Sequence, residues 1–180
     1  MEITINAIQI KDNAPLAIVI RNALKEFGAD KPGTVFYDES TDHLFELFQE
    51  EKAAYFVTAK DGNVLGGAGI YPTDGLSKDT CELVKMYLSP AARGKELAKL
   101  LMQQCLQAAK ENGFAKVYIE TMPELSTAGG MYEKFGFTYL QRPLGKSGHS
   151  GCDIWTPESP RSSALRPRCP GNRSRPGPQP

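Results

Sequence analysis

Apolar and polar residues alternate through "ITINAIQI", residues 3–10, a spacing that predicts a half-buried strand. Asp12 or Asn13 then offers a cap for a helix from about Pro15 to Phe27, with Gly28 as its stop. Residues 41–50 predict a second helix, with Asp42 near its start and Leu44, Phe45, Leu47 and Phe48 on its apolar side. "AAYFVTAK" and "VLGGAGIYP" flank Asp61-Gly62-Asn63, the signature of a hairpin. "TCELVKMYLS" predicts the next strand and Arg93–Asn112 a long helix. The helix stripe of Leu97, Leu101, Cys105 and Ala108 faces a core, and Gly113 ends it. "KVYIET" is a strand and residues 125–135 a further helix, closed by Lys134-Phe135-Gly136. "FTYLQRP" and "GCDIWT" predict two closing strands.

The strand–helix–strand passage in the middle implies a locally parallel pair covered by its helix, while the hairpin turn implies antiparallel pairing. A mixed α/β sheet is therefore expected. With 180 residues, 41% hydrophobic and 23% charged, the chain can bury a core and has an ordinary globular composition. The start "MEITINAIQIKDNAP" lacks the basic and apolar regions of a signal peptide, and no apolar run reaches a membrane span. Cys81, Cys105, Cys152 and Cys169 show no paired metal-ligand spacing. A reducing cytoplasm without a structural metal is the expectation.

The formal net charge of zero divides unevenly. Residues 158–180 carry five Arg and one Glu, so the preceding body is net negative. This Pro-, Arg-, Ser- and Gly-rich tail has too few apolar residues to offset its ordering entropy, and residues 1–157 are expected to form the domain. A nucleic-acid arm, a Pro-rich partner ligand and sequence appended to a finished domain compete as readings of the tail. It has no aromatic interleaving for base stacking and no clear PxxP register. This disfavours the first two.

The candidate chemistry centres on "YLSPAARGKELAKLLMQQC", residues 87–105. A strand leading into Arg93-Gly94-Lys95-Glu96-Leu97-Ala98 places unpaired amides at a helix N-terminus, a ready site for phosphate oxygens. An ordinary charged first turn is the competing reading. The stretch is neither GxxxxGK[ST] nor GxGxxG.

Leu83-Val84-Lys85-Met86-Tyr87-Leu88, Arg93-Gly94-Lys95 with Ala98, and Tyr132-Glu133-Lys134-Phe135-Gly136-Phe137 follow one another in order. Together they resemble the central motifs of the GNAT superfamily of N-acetyltransferases. The resemblance extends over about residues 1–156, with its specific motifs within about 81–137. It implies a mixed, mostly antiparallel sheet with a central β-α-β acyl-CoA-binding unit and helices on both faces. It further implies acetyl-CoA as cosubstrate, no metal, and direct transfer of an acetyl group to a primary amine in a ternary complex.

On this resemblance, Arg93, Gly94, Lys95, Glu96, Leu97 and Ala98 would hold the pyrophosphate. Amides around Met86, Tyr87 and Leu88 would hold the pantetheine arm and polarise the thioester carbonyl; plain sheet pairing is their competing role. Tyr132 would protonate the departing thiolate, or is a packed aromatic. Glu82 would act as base for the incoming ammonium, directly or through water, or forms a surface pair with Lys85. Glu96 stands where the family loop commonly has its middle glycine, and is expected inside the helix, where no unusual backbone angle is needed. Leu125 stands where the family often has Asn, so either Ser126 and Thr127 replace that polar contact or the contact is missing. His149 is a further titratable candidate in the loop before Cys152 and Asp153, with a solvated loop residue as its bland reading.

The expected acceptor is a small-molecule amine or a peptide amine, and the acidic lip "LFELFQEE" mildly favours a cationic one. A longer acyl chain, a protein N-terminus as acceptor, and an acyl-CoA-binding regulatory domain without turnover are the alternatives. Neither nucleic acid nor membrane is an expected partner, and a homodimer is left open.

Overall fold

The computed structural model describes residues 3–94, 96–121, 129–138, 140, 144 and 154–158. Six strands form one sheet in chain order: β1 (Ile3–Ala7), β2 (Ala54–Lys60), β3 (Asn63–Tyr71), β4 (Thr80–Leu88), β5 (Lys116–Thr121) and β6 (Ile154–Glu158). β1 to β4 are antiparallel neighbours, β4 and β5 run parallel, and β6 is antiparallel to β5. This is the mixed, mostly antiparallel α/β sheet expected.

Helices α1 (Asn13–Glu26), α2 (Leu44–Leu47), α3 (Leu97–Glu111) and α4 (Gly129–Lys134) complete the described elements. The apolar stripe of α3 buries Leu97, Leu101, Cys105 and Ala108, as its spacing predicts; the last three join Cys81, Leu83, Val117 and Ile119 in one core, and Leu97 packs with Leu65 and Ala92. On the other face α1 packs Leu16, Ile20 and Leu24 with Tyr55, Val57 and Phe48. Side chains of β4 and its neighbours thus alternate between two helical layers.

The β2–β3 hairpin turns on Asp61 and Gly62, both with positive φ. That geometry matches the twist of the flanking strands. Three expectations change. In place of the helix predicted over 41–50 there is the end of the 3-10 turn Glu39–Asp42, itself preceded by another at Val35–Tyr37, and then the single turn α2. Tertiary bonds override its periodicity: Arg21 grips Asp42 through two bonds of 2.6 and 2.7 Å, and Asn13 accepts from the Phe45 amide at 2.7 Å. In addition, β1 ends at Ala7 because Gln9 and Asp12 exchange capping bonds that start a turn at Ile10. Among the described residues of "FTYLQRP", Phe137, Thr138 and Leu140 are not in a strand.

Candidate acyltransferase site

The site begins with an irregularity in β4. Gly67 of β3 faces Tyr87 and Gly69 faces Val84, so one residue of β3 opposes both Lys85 and Met86. Such a bulge bends its strand. Lys85 is at φ 50°, left-handed for a residue with a side chain. The parallel ladder to β5 ends immediately before it, at Leu83 opposite Ile119. Beyond that point a cavity of about 370 Å³ opens, with Met86, Tyr87 and Leu88 on one side and Thr121, Met131 and Tyr132 on the other. This volume falls in the range of small-molecule sites.

The same cavity reaches Gly94, Glu96, Leu97 and Ala98 where α3 begins. The first amides of α3 have no carbonyl within the helix to bond. Gly94 (φ 72°) and Glu96 (φ 57°) both have left-handed φ at the turn that leads into α3. Glu96 is therefore not inside the helix, as expected from sequence, but caps it in a conformation that favours glycine. Its carboxylate is mostly exposed and leans towards Lys99, 3.8 Å away.

Arg93 pairs with a carboxylate of the chain itself. Its guanidinium makes two bonds to Glu26 (2.5 and 2.8 Å), a third to the Leu88 carbonyl (3.3 Å), and stacks 5.1 Å from the Phe27 ring. Its amide bonds to Pro90. Arg93 thus ties the loop to the end of α1, whose Ala23 and Phe27 also line the cavity. Lys95, Ser126, Thr127, His149 and Cys152 lie outside the described residues, as does most of the Arg-rich tail.

Tyr132 is 8% exposed and packs edge-on to Phe137 at 6.0 Å. Burial pushes its phenol up to about 12, so it keeps its proton at neutral pH. The ring is a packed aromatic and also lines the cavity.

A second cavity, of about 450 Å³, lies against the earlier part of β4 and includes Glu82, Val84 and Lys85. Glu82 is 3% exposed and accepts a 2.6 Å bond from Thr73. Burial raises its carboxyl to about 7; the Thr73 bond opposes that shift and nearby Glu120 adds to it. It forms no surface pair with Lys85. Lys85 is itself buried, and its ammonium bonds Asp38 at 2.9 Å and Thr41 at 3.3 Å. Desolvation lowers the Lys85 pKa against the pull of Asp38, whose own carboxyl is held low by that ammonium despite its partial burial. Glu50 and Asp74 extend the acidic lining. Sequence reasoning did not find Asp38, Thr73 or Lys85 as site residues. The approach of Asp38 to Lys85 depends on how the 35–42 segment folds over β4, and that of Thr73 to Glu82 on the β3–β4 connection.

An acetyltransferase (GNAT) family model matches residues 21–137. The chain belongs to that family. It is 41% identical over 149 residues to the uncharacterized N-acetyltransferase YjgM of Escherichia coli K12, covering 82% of this chain and 89% of YjgM. Its fold superposes on a GNAT-family acetyltransferase from Staphylococcus aureus Mu50 with a TM-score of 0.78 at 17% identity, over 89% of this chain and all of that one. YncA from Salmonella typhimurium, solved with its cofactor acetyl-CoA, matches with a TM-score of 0.71 at 17% identity, over 94% and 100%. The chain is thus an acyltransferase-family enzyme with the GNAT fold. Among the described residues no helix is long and apolar enough to cross a membrane, and no group of His, Cys, Asp and Glu is placed to hold a metal.

Proposed function

We propose that this GNAT-family enzyme transfers an acetyl group from acetyl-CoA to a cationic primary amine. One observation carries the reading: consecutive lengths of a single strand, β4, wall both cavities, Glu82–Lys85 the acidic one and Met86–Leu88 the other. Two reactants held there would meet across one bend of backbone, where proximity alone lowers the barrier.

The residues fit acetyl-CoA. The α3 amides at Glu96, Leu97 and Ala98 would form an anion cradle suited to the pyrophosphate, and the gap between β4 and β5 suits the extended pantetheine arm with its own amide groups. When bound, acetyl-CoA supplies the acetyl thioester. Amides of Met86 to Leu88 would hold its carbonyl oxygen, and their fixed dipoles favour charge developing there. Arg93 supports the loop through Glu26.

Acidic side chains of the second cavity attract an ammonium. Glu82, with a carboxyl near 7, can take a proton from it directly or through water at physiological pH. Tyr132 keeps its proton and offers a hydrogen bond to the departing sulfur. A phenol so weakly acidic stabilises a thiolate (ordinary pKa about 8.5) better by donating a hydrogen bond than by surrendering its proton in full.

The test is CoA-thiol release from acetyl-CoA by the purified full chain over a panel of primary amines, cationic and neutral in the side chain. Turnover concentrated on cationic amines supports the reading. CoA binding without turnover on any amine or N-terminal peptide would replace it with a regulatory acyl-CoA-binding role. Turnover restricted to a longer acyl donor would replace the acetyl group.

A further inference from the structure

The bulge at Lys85 needs something to hold it, and the structure offers an unusual device. Tyr55, on β2, is 2% exposed, and its hydroxyl donates a 2.8 Å bond to the Lys85 carbonyl, thirty residues away in sequence. To reach it, the ring lies across β3, the strand between them. It does so over two glycines: a β-carbon at Gly67 or Gly69 would stand 2.5 Å from a Tyr55 ring carbon. Phe48 closes the socket with its ring centroid 4.8 Å from that of Tyr55.

A bulge leaves its extra residue without a regular ladder partner, and a buried carbonyl without a partner is costly. The phenol supplies that partner. The Lys85 side chain is anchored separately, by Asp38 and Thr41, so backbone and side chain of one strained residue are held from two directions. Neither anchor touches the cavity between β4 and β5, yet the bulge they hold is where the two strands part.

We infer that Tyr55 is a positioning residue for the acyl-donor cleft: its hydroxyl, acting through the Lys85 carbonyl, fixes the bend that separates Met86–Leu88 from β5. This rests on the reading of that cleft as the acetyl-CoA site. In ordinary strand pairing β4 would drift back towards β5, and the amides proposed to receive the pantetheine arm would lose their spacing.

Tyr55→Phe tests this, because the ring stays in its glycine socket and only the hydroxyl is lost. CoA affinity by calorimetry is expected to fall about tenfold, the effect of one lost buried hydrogen bond felt at the cleft. KM for acetyl-CoA should rise in parallel, with kcat and the KM for the amine little changed. Amide exchange at Met86, Tyr87 and Leu88 should quicken in the free chain. Ile5→Val, a partly buried position on the edge strand β1 with β2 and β3 between it and the bulge, serves as control and should lower the melting temperature without altering CoA affinity. If Tyr55→Phe melts earlier but binds CoA as the wild type does, or leaves exchange over 86–88 unchanged, the hydroxyl is merely structural and the inference fails. Should the wild-type chain itself bind no CoA, the proposed function falls instead, and the exchange measurement still decides what the hydroxyl holds.

Discussion

Glu82 has a Thr73 hydroxyl on one oxygen and burial on nearly every side. Its carboxyl is raised to about 7, so it is protonated below that pH and ionised above it. As a base it works only ionised, so kcat/KM for the amine is expected to fall as pH drops through about 7. Glu82→Gln should abolish that limb and lower kcat at least about a hundredfold. Stability carries the opposite sign. A folded-state pKa raised above the unfolded value of about 4.5 gives stability that is complete below 4.5 and lost as pH rises through 7. Glu82→Gln should therefore raise the melting temperature at pH 8 relative to wild type, by the equivalent of up to about 3 kcal/mol, and do little at pH 4. Glu96 makes a second residue-scale case. Its left-handed backbone costs about 1 kcal/mol relative to glycine, which the greater unfolded-state freedom of glycine roughly cancels. Glu96→Gly should leave stability within about 0.5 kcal/mol and tighten CoA about two- to threefold by removing a carboxylate beside the amide cradle. Glu96→Val should destabilise by about 1–2 kcal/mol in denaturant unfolding.

At the scale of elements, the turns over 35–47 show what a periodicity cannot contain. Leu44, Phe45, Leu47 and Phe48 do recur at helical spacing, but only one helical turn forms. Its start is fixed by Asn13, whose side chain accepts from Phe45 and donates to Glu46 at 2.7 Å each. Asn13→Ala should cost about 1 kcal/mol, as loss of a cap does. The same segment carries Asp38 and Ser40 into the acidic cavity, so that variant should raise the amine KM severalfold while leaving CoA affinity unchanged. Steady-state kinetics with each substrate varied in turn separates the two. Elements whose causes are local were legible from sequence: the Asp61-Gly62 hairpin, the α3 stripe, the strand flowing into the Arg93-Gly94 turn. Glu82 and Tyr132 were legible through motif order, and both line cavities. The Lys85 bulge was not, because its cause is spread over Tyr55, Gly67 and Gly69 on two other strands. The glycine pair in "GGAG" was the visible trace, open to reading as two residues leaving room for a ring. Nor was the left-handed turn at Glu96, where the side chain in the sequence argues against the backbone it adopts.

For the molecule as a whole, charge is distributed in keeping with the proposed reaction. The body before residue 158 is net negative, and Glu50, Asp74 and Glu82 gather at one cavity whose single lysine is already engaged with Asp38. Association with a cationic amine should weaken with salt. Raising ionic strength from about 0.02 to 0.5 M, over which the screening length falls severalfold, is expected to raise the amine KM several times more for a cationic acceptor than for a neutral one. The two-layered architecture also depends on a matter of counting. Cys81 and Leu83 pack with the α3 layer, and Val84 with the α1 layer; then Met86 and Leu88 return to the α3 layer and Tyr87 to the α1 layer. Odd-numbered residues serve the α3 layer before Lys85 and even-numbered residues after it. The bulge is thus a change of parity within one strand. A straight ladder that kept Lys85 would turn Met86, Tyr87 and Leu88 each to the opposite side, whereas deleting Lys85 would keep their sides but remove the bend. Any relative that keeps both cavities must keep the count.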